Sequence, residues 1–247
     1  MMSWILGVEG AGVVLSAGCV VAVGVFDGVH RGHQTLLAQA QARARAEGIP
    51  CIALTFDPHP SEVIRPMHPT PLLCPIDHRI ERLLHYGADL VVVQPFTEAF
   101  ARLTAEVFIQ QILVEQLHAR AVVVGEDFRF GHRQQGDTAL LRRIGPFEVI
   151  TVSPVVDESG ERISSTRIRR LVQAGALQEA AQLLGEPFYW AGVVVRGESR
   201  GQTLGYPTAN LMPLGRLVRP PEGVYACVAH LEGKRYGAAV SVGTPPM

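Results

Sequence analysis

The stretch Gly24-Val25-Phe26-Asp27-Gly28-Val29-His30-Arg31-Gly32-His33 combines residue types that phosphate chemistry uses, with glycines every fourth residue and two histidines three apart. Gly24, Gly28 and Gly32 let backbone approach a ligand closely. A helix starting just after them would offer unpaired N–H groups and a partial positive charge to an anion. His30 and His33 add imidazole N–H donors at the same place. In-line attack on an α-phosphate builds charge on the equatorial oxygens and on the leaving pyrophosphate. Fixed donors aimed at that charge are the main thing a protein can supply. The pair also reads as half of a metal site, or as two unrelated loop histidines. A metal site calls for a third ligand at a telling spacing, which the sequence does not offer, and the glycine frame favours phosphate over both.

These side chains can act together only on one rim of a rigid frame. Cys19–Phe26 is a continuous apolar, β-branched run that predicts a central parallel strand covered on both faces. His33–Glu47 places Leu36, Leu37, Ala40 and Ala44 on one helical face and stops at Gly48-Ile49-Pro50. The glycine–histidine stretch therefore joins the carboxyl end of a strand to a helix start, where open α/β folds bind ligands. The alternation continues with strands over Cys51–Phe56, Leu90–Val93, Ala121–Val124 and Phe147–Val152. Helices are predicted over Asp77–Tyr86, Thr104–Leu117, near Asp137–Arg143, and over Ser165–Ala174 and Leu177–Leu184. Pro58 to Pro75 carries six prolines and predicts a loop. Strands alternating with helices imply βαβ units and a doubly wound parallel sheet. After Gly185-Glu186-Pro187 the texture changes to short strands, Ala191–Arg196, Gly223–Leu231 and Arg235–Val242, separated by Gly- and Pro-rich turns. That is the opening of an all-β module.

Composition narrows the function class. With 47% hydrophobic and 18% charged residues, the 247-residue chain should bury a full core. A formal net charge of −1 argues against a basic nucleic-acid surface, so phosphate binding must come from local arrangement. Cys19, Cys51, Cys74 and Cys227 form no CxxC pair and read as reduced thiols. The uncharged run Gly10 to Phe26 is shorter than the ~20 apolar residues of a membrane span. It is also broken by Gly10, Gly12, Ser16, Gly18 and Gly24, and no Lys or Arg precedes it as in a signal peptide. A cytoplasmic protein without membrane partners is expected.

The glycine–histidine stretch resembles the HxGH signature of the nucleotidylyltransferase superfamily, in the expanded form GxFDGxHxGH of bacterial bifunctional riboflavin kinase/FAD synthetases. Three further blocks are similar to the same family in the same order: Thr55-Phe56-Asp57-Pro58-His59-Pro60, Gly125-Glu126-Asp127-Phe128-Arg129-Phe130-Gly131, and Ile163-Ser164-Ser165-Thr166-Arg167-Ile168-Arg169. Each falls after a strand or at a helix start. The resemblance implies an adenylyltransferase that joins AMP to FMN, with ATP, Mg, FMN and riboflavin as small-molecule partners and FAD as product. It implies His30, His33 and Arg167 as catalytic residues. ATP and phosphate would be held by Gly24, Phe26, Asp27, Gly28, Gly32, Ser165 and Thr166, and the flavin by His59, Asp127 and Phe130.

The residues themselves carry part of this. Ser165 and Thr166 can cap a helix or bind phosphate. Arg167 can hold phosphate oxygens in a bidentate fork, whereas Arg169 reads as a solvated helix charge. Asp127 can accept from a flavin or ribose, or form a turn. Phe128 and Phe130 read as core or as a stacking platform. His59, between two prolines, is rigidly placed, as a substrate contact or as a surface loop histidine. One departure stands out: Gln134 occupies a position where the family usually has Arg. Arg133 is adjacent, and neither is assigned a role.

The domain boundary is expected at 1–186 and 187–247, the second resembling the start of the family's riboflavin kinase barrel. Leu204-Gly205-Tyr206-Pro207-Thr208-Ala209-Asn210-Leu211 is similar to its LGFPTANL motif. The resemblance implies Gly205, Thr208 and Asn210 around nucleotide, with Thr208 and Asn210 on Mg through hard oxygens. A Pro-initiated turn with an Asn cap would be the reading of the Pro207–Asn210 tetrapeptide alone, but its position after the Ala191–Arg196 strand favours the nucleotide site. Arg196, Ser199 and Gln202 depart from the family's usual His, Gly and Arg. The chain stops after Val242-Gly243-Thr244, before the strands that hold the family's catalytic glutamate. An incomplete kinase module and FAD formation without riboflavin phosphorylation are therefore expected. Two other functions compete: nucleotidyl transfer to a different phosphate monoester, and flavin binding without turnover.

Overall fold

The computed structural model describes residues 3–9, 15, 17–196 and 208–243. The first module is built on six parallel strands: β1 (Trp4–Leu6), β2 (Cys19–Val23), β3 (Cys51–Asp57), β4 (Leu90–Pro95), β5 (Ala119–Gly125) and β6 (Glu148–Val152). Their spatial order is β1-β4-β3-β2-β5-β6. The central strands are continuous apolar runs because both faces are covered. On one face Val21, Ile52, Val92 and Val122 pack against Phe108, Ile109, Ile112 and Leu113. On the other, Val20, Ala53, Val91 and Val123 meet Leu36, Leu37 and Ala40 of helix α1 (Arg31–Glu47) together with Ile80 and Leu83. Gly48 ends α1 in the left-handed conformation at φ 68°, donating to Ala44 and Arg45 carbonyls.

The predicted doubly wound sheet is present, with local differences. β1 is an added edge strand of three residues on β4, too short to show a period in sequence. The proline-rich segment contains a helix, Pro60–Ile64, capped by His59 with Glu62 reaching back to the His59 N–H. Proline is pre-organised for the first helical position, so its abundance did not exclude a helix start. The helix at 104–117 opens as α over Ala105–Val107 and widens to a π-helix over Phe108–Gln116. Leu117 N–H accordingly donates to Ile112, five residues back. Thr97 caps a short helix, Glu98–Ala101, that sequence periodicity was too brief to reveal.

In the second module, β7 (Gly192–Val195) pairs with β8 (Asn210–Pro213), and β9 (Gly223–Leu231) pairs with β10 (Lys234–Val242), both antiparallel. Glu232 and Gly233 close the long hairpin with positive φ at both positions, as a two-residue turn matched to strand twist requires. Several strand residues remain exposed, among them Val193, Val194, Val224 and Val228. Burial crosses the expected 186/187 boundary: Val218 is 1% exposed and packs with Leu73, Ile163 and Ile168. Gly205, Ser199 and Gln202 lie outside the described residues.

Candidate active site

β2 lies between β3 and β5, and the chain leaves it in opposite directions, so the crevice beyond their carboxyl ends is the topological switch point. The Gly24–His33 segment follows β2 there, and Gly125–Phe130 follows β5. Phe26, Gly28 and Val29 all have positive φ, which folds this segment into a tight turn. Two of these are non-glycine and fully buried, a strained arrangement held by the packing around it. A Cβ on Gly24 would come 3.1 Å from the Phe26 ring, and one on Gly32 would come 3.2 Å from the His30 ring. Both glycines line a cleft of about 340 Å³.

His30 and His33 stand in that cleft with their rings stacked, centroids 3.6 Å apart and planes 18° from parallel. Phe26 sets its ring edge-on to His33 at 5.2 Å. Both Nδ1 atoms are buried and have no hydrogen-bond partner among the described residues. Burial pushes His30 down to about 4, with Arg162 and Arg169 adding to the fall against its own backbone. His33 is held well below its ordinary value by burial, then by His30, Arg79 and Arg169. Both rings are therefore neutral near pH 7, each with one N–H donor and one acceptor nitrogen.

His59 is likewise lowered to about 4, mainly by burial. These shifts make stability pH-dependent. Unfolded imidazoles titrate near 6.5, so between about 6.5 and 4 the unfolded chain binds more protons than the folded one. Stability is thus fully present above that window and falls as pH drops through it. Thermal melting should show a lower midpoint at pH 5 than at pH 7.5, and an unchanged midpoint would contradict the buried neutral imidazoles.

Several residues expected at the ligand have partners within the fold. The Asp27 carboxylate is 2% exposed and accepts from Leu73 N at 2.9 and 3.0 Å and from Cys74 N at 3.4 Å. It also pairs with Arg169, whose Nε donates to the Pro71 carbonyl at 2.6 Å. Asp27 therefore fastens the 71–74 segment and does not line the cleft. Arg169, expected to be solvated, is its partly buried partner. Gly28 also turns inward: at φ 78°, a Cβ there would meet Leu73 Cδ1 at 2.8 Å.

The helix Ser165–Gln173 is capped by Ser164, whose Oγ accepts from Arg167 N. Ser165 Oγ donates to the Asp27 carbonyl at 2.9 Å. Both serines and Thr166 line the cleft. Arg167 does not: its guanidinium pairs with Asp157 at 2.5 Å and Glu161 at 3.2 Å and donates to the Glu161 carbonyl. Successive helical side chains turn by about 100°, which carries Arg167, the third residue of the helix, away from the cleft that Ser165 and Thr166 line. Arg162, which sequence reasoning passed over, lines it instead, paired with Asp127 at 2.6 Å. The signal available was its position just before the helix start, on the rim. A second missed residue is Arg79, wholly buried, donating to the Phe56 carbonyl at 2.9 Å.

A larger chamber of about 710 Å³ adjoins the cleft, and Gly24 and Phe128 line both. Its walls carry Phe56, Phe96, Phe100, Phe108, Phe128 and Phe130. Phe128 and Phe130 stack at 5.4 Å and 14°, Phe130 being the buried member. Arg133 and Gln134 line this chamber with φ of 52° and 58°. Of the residues expected at the flavin, Phe130 lines the chamber, whereas Asp127 lines the histidine cleft. His59 lines neither; its Nδ1 accepts from Ser61 N at 3.1 Å, and its helix contributes Pro60, Val63 and Ile64 to the aromatic wall.

Residues 14–167 match the family model described as FAD synthetase, and residues 184–247 match that described as riboflavin kinase. The chain is 39% identical to the bifunctional riboflavin kinase/FMN adenylyltransferase of Escherichia coli K12, across 99% of this chain and 79% of that one. It belongs to the bifunctional riboflavin kinase/FMN adenylyltransferase family. The Listeria monocytogenes member is 38% identical across 91% of this chain and 72% of its own. A crystal structure described as a macrolide-efflux protein from Streptococcus pneumoniae matches with a TM-score of 0.87 at 35% identity, covering 100% of this chain and 81% of that one. Because both domains of the bifunctional family are matched, the expectation of an incomplete kinase module that leaves FAD formation alone does not stand.

All four cysteines are unpaired, three of them buried. Among the described residues, no helix is long and apolar enough to cross a membrane. In the riboflavin kinase module, Thr208 and Asn210 are exposed, and Asn210 opens β8.

Proposed function

We propose that this chain transfers AMP from ATP to FMN, giving FAD and pyrophosphate, and that its second module phosphorylates riboflavin with ATP. The observation that carries the first reaction is the pairing of a small histidine cleft with a large aromatic chamber, joined at Gly24 and Phe128. A flat tricyclic ring suits the phenylalanine-walled space, and a triphosphate suits the cleft at the helix start. The junction is then where the flavin's phosphate meets the α-phosphorus. A phosphate oxygen of FMN forms a bond to that phosphorus as its bond to the bridging β-phosphate oxygen breaks. Pyrophosphate leaves with the electron pair, and no proton need move.

His30 and His33, neutral and stacked, present N–H donors to the oxygens where charge grows. Ser165 and Thr166 offer backbone N–H groups at the first turn of their helix. Arg162 supplies positive charge; its bond to Asp127 is half exposed and costs little to exchange for phosphate. Arg167 is assigned to holding the turn at 157–162. Phe26 supports His33 and Phe130 backs Phe128. Magnesium bound with ATP supplies further neutralisation of the phosphates. In the second module the hydroxyl of Thr208 and the amide oxygen of Asn210 are hard donors suited to it.

Arg162→Ala is expected to lower kcat/KM for ATP by roughly ten- to a hundredfold, the loss of a charge-assisted bond of about 1.5–3 kcal/mol. Arg167→Lys should cost less, because Asp157 keeps a cation beside it. Steady-state FAD formation compares the two, and the reverse ranking would return Arg167 to the phosphate. The reading as a whole is tested by incubating the purified chain with ATP, Mg and either FMN or riboflavin and identifying the products. FMN left unchanged would overturn the adenylyl transfer, and riboflavin left unchanged the kinase assignment.

A further inference from the structure

The segment Pro71–Cys74 lies outside the strands of all three sheets, and its backbone groups must find partners elsewhere. They find them on two sides. Leu72 N donates to the Arg216 carbonyl at 2.8 Å, and Val218 N donates to the Leu72 carbonyl at 2.8 Å, pairing Leu72 with Leu217 as a parallel bridge. On the opposite side, Leu73 N and Cys74 N donate to the Asp27 carboxylate, and the Pro71 carbonyl accepts from Arg169. Four residues therefore link the Arg216–Val218 segment, between β8 and β9 of the second module, to the signature turn of the first.

We propose that Arg216–Val218, part of the second module by sequence, is a positioning element of the first module's histidine cleft. Asp27 sits three residues before His30, and its carbonyl receives Ser165 Oγ from the opposite wall of the cleft. Gly28 N donates to Cys74 Sγ at 3.3 Å, and its backbone lies so close to Leu73 that a Cβ would not fit. Where residues 73 and 74 lie thus decides where the turn carrying His30 lies. Val218, 1% exposed, packs on Leu73 and also on Ile163, the residue between Arg162 and Ser164 of the cleft. Both walls of the cleft therefore lean on the same short segment. Sub-ångström placement matters in such a site, since misplacing reacting groups by about 1 Å costs on the order of a hundredfold in rate.

The proposal rests on the adenylyl-transfer reading only for its activity readout. In the full chain, Val218→Pro removes the N–H that holds Leu72, and kcat for FAD formation should fall roughly ten- to a hundredfold in protein that melts well above the assay temperature. Val218→Ile keeps the N–H and an apolar β-branched side chain and should retain most of the rate, which separates positioning from general loss of fold. A folded Val218→Pro variant with wild-type kcat would overturn the proposal. Should that variant not fold, amide hydrogen exchange on the unaltered chain decides: adding Mg and ATP should slow exchange at Leu73, Cys74 and Val218 together. Protection of Leu73 and Cys74 with none at Val218 would reject the coupling. If the unaltered chain made no FAD, the functional reading would fail while the exchange experiment still judged this one.

Discussion

His33→Ala should lower the rate of FAD formation from FMN by about a hundredfold or more while leaving FMN affinity near normal. Removing one fixed donor from a site of developing charge typically costs roughly 3 kcal/mol of barrier. His33 lies on the histidine cleft, and the aromatic chamber proposed for the flavin ring is walled by other residues. The stacked His30 ring would lose its support in the same variant, so His30→Ala and the double variant should each cost about as much as the single one. Steady-state rates beside calorimetric FMN binding make the comparison. A folded His33→Ala enzyme with near-normal turnover would remove the pair from the mechanism.

Asp27→Ala should be the most destabilising single change in the signature. It would leave Arg169 partly buried beside the emptied position and would strip Leu73 N and Cys74 N of their acceptor. Breaking one partner of a buried pair costs about 3–5 kcal/mol, because the surviving charge is left uncompensated. In a module of this size that corresponds to a fall of roughly 10 °C in melting temperature. Asp27→Asn keeps an oxygen for the two N–H groups and should lose less. The order can be read from urea unfolding followed by far-UV circular dichroism, and a wild-type midpoint for Asp27→Ala would show that the pair contributes no net stability. Any loss of activity in these variants would follow from displacement of the turn, since the Asp27 carboxylate does not line the cleft.

The frame of this protein was legible in its sequence because it depends on short-range pattern. Continuous β-branched runs such as Cys19–Val23 can be satisfied only between two covered faces. The spacing of Leu36, Leu37, Ala40 and Ala44 permits one helical face, and Gly48 ends that helix by taking a left-handed φ. From strand–helix alternation it follows that the glycine–histidine stretch stands at the sheet's ligand-binding rim, and the structure has it there. Residue type alone also pointed to both histidines in one cleft.

What only the tertiary structure decided was the direction and partnership of individual side chains. Asp27 and Arg169 are 142 residues apart, and nothing local to either announces the other. The family resemblance therefore offered one as a ligand contact, and residue chemistry read the other as solvated. Arg162 and Arg167 are equally good guanidinium forks, and the choice between them depends on helix phase and on the pull of Asp157. The chamber beside the histidines is assembled from phenylalanines far apart in the chain, of which the sequence reading considered only Phe128 and Phe130, as core or as a stacking platform. Burial, not composition, holds the two imidazoles neutral. Pattern with a period of two or 3.6 residues is written into the chain, whereas long-range pairing and desolvation exist only once the sheet has closed over its neighbours.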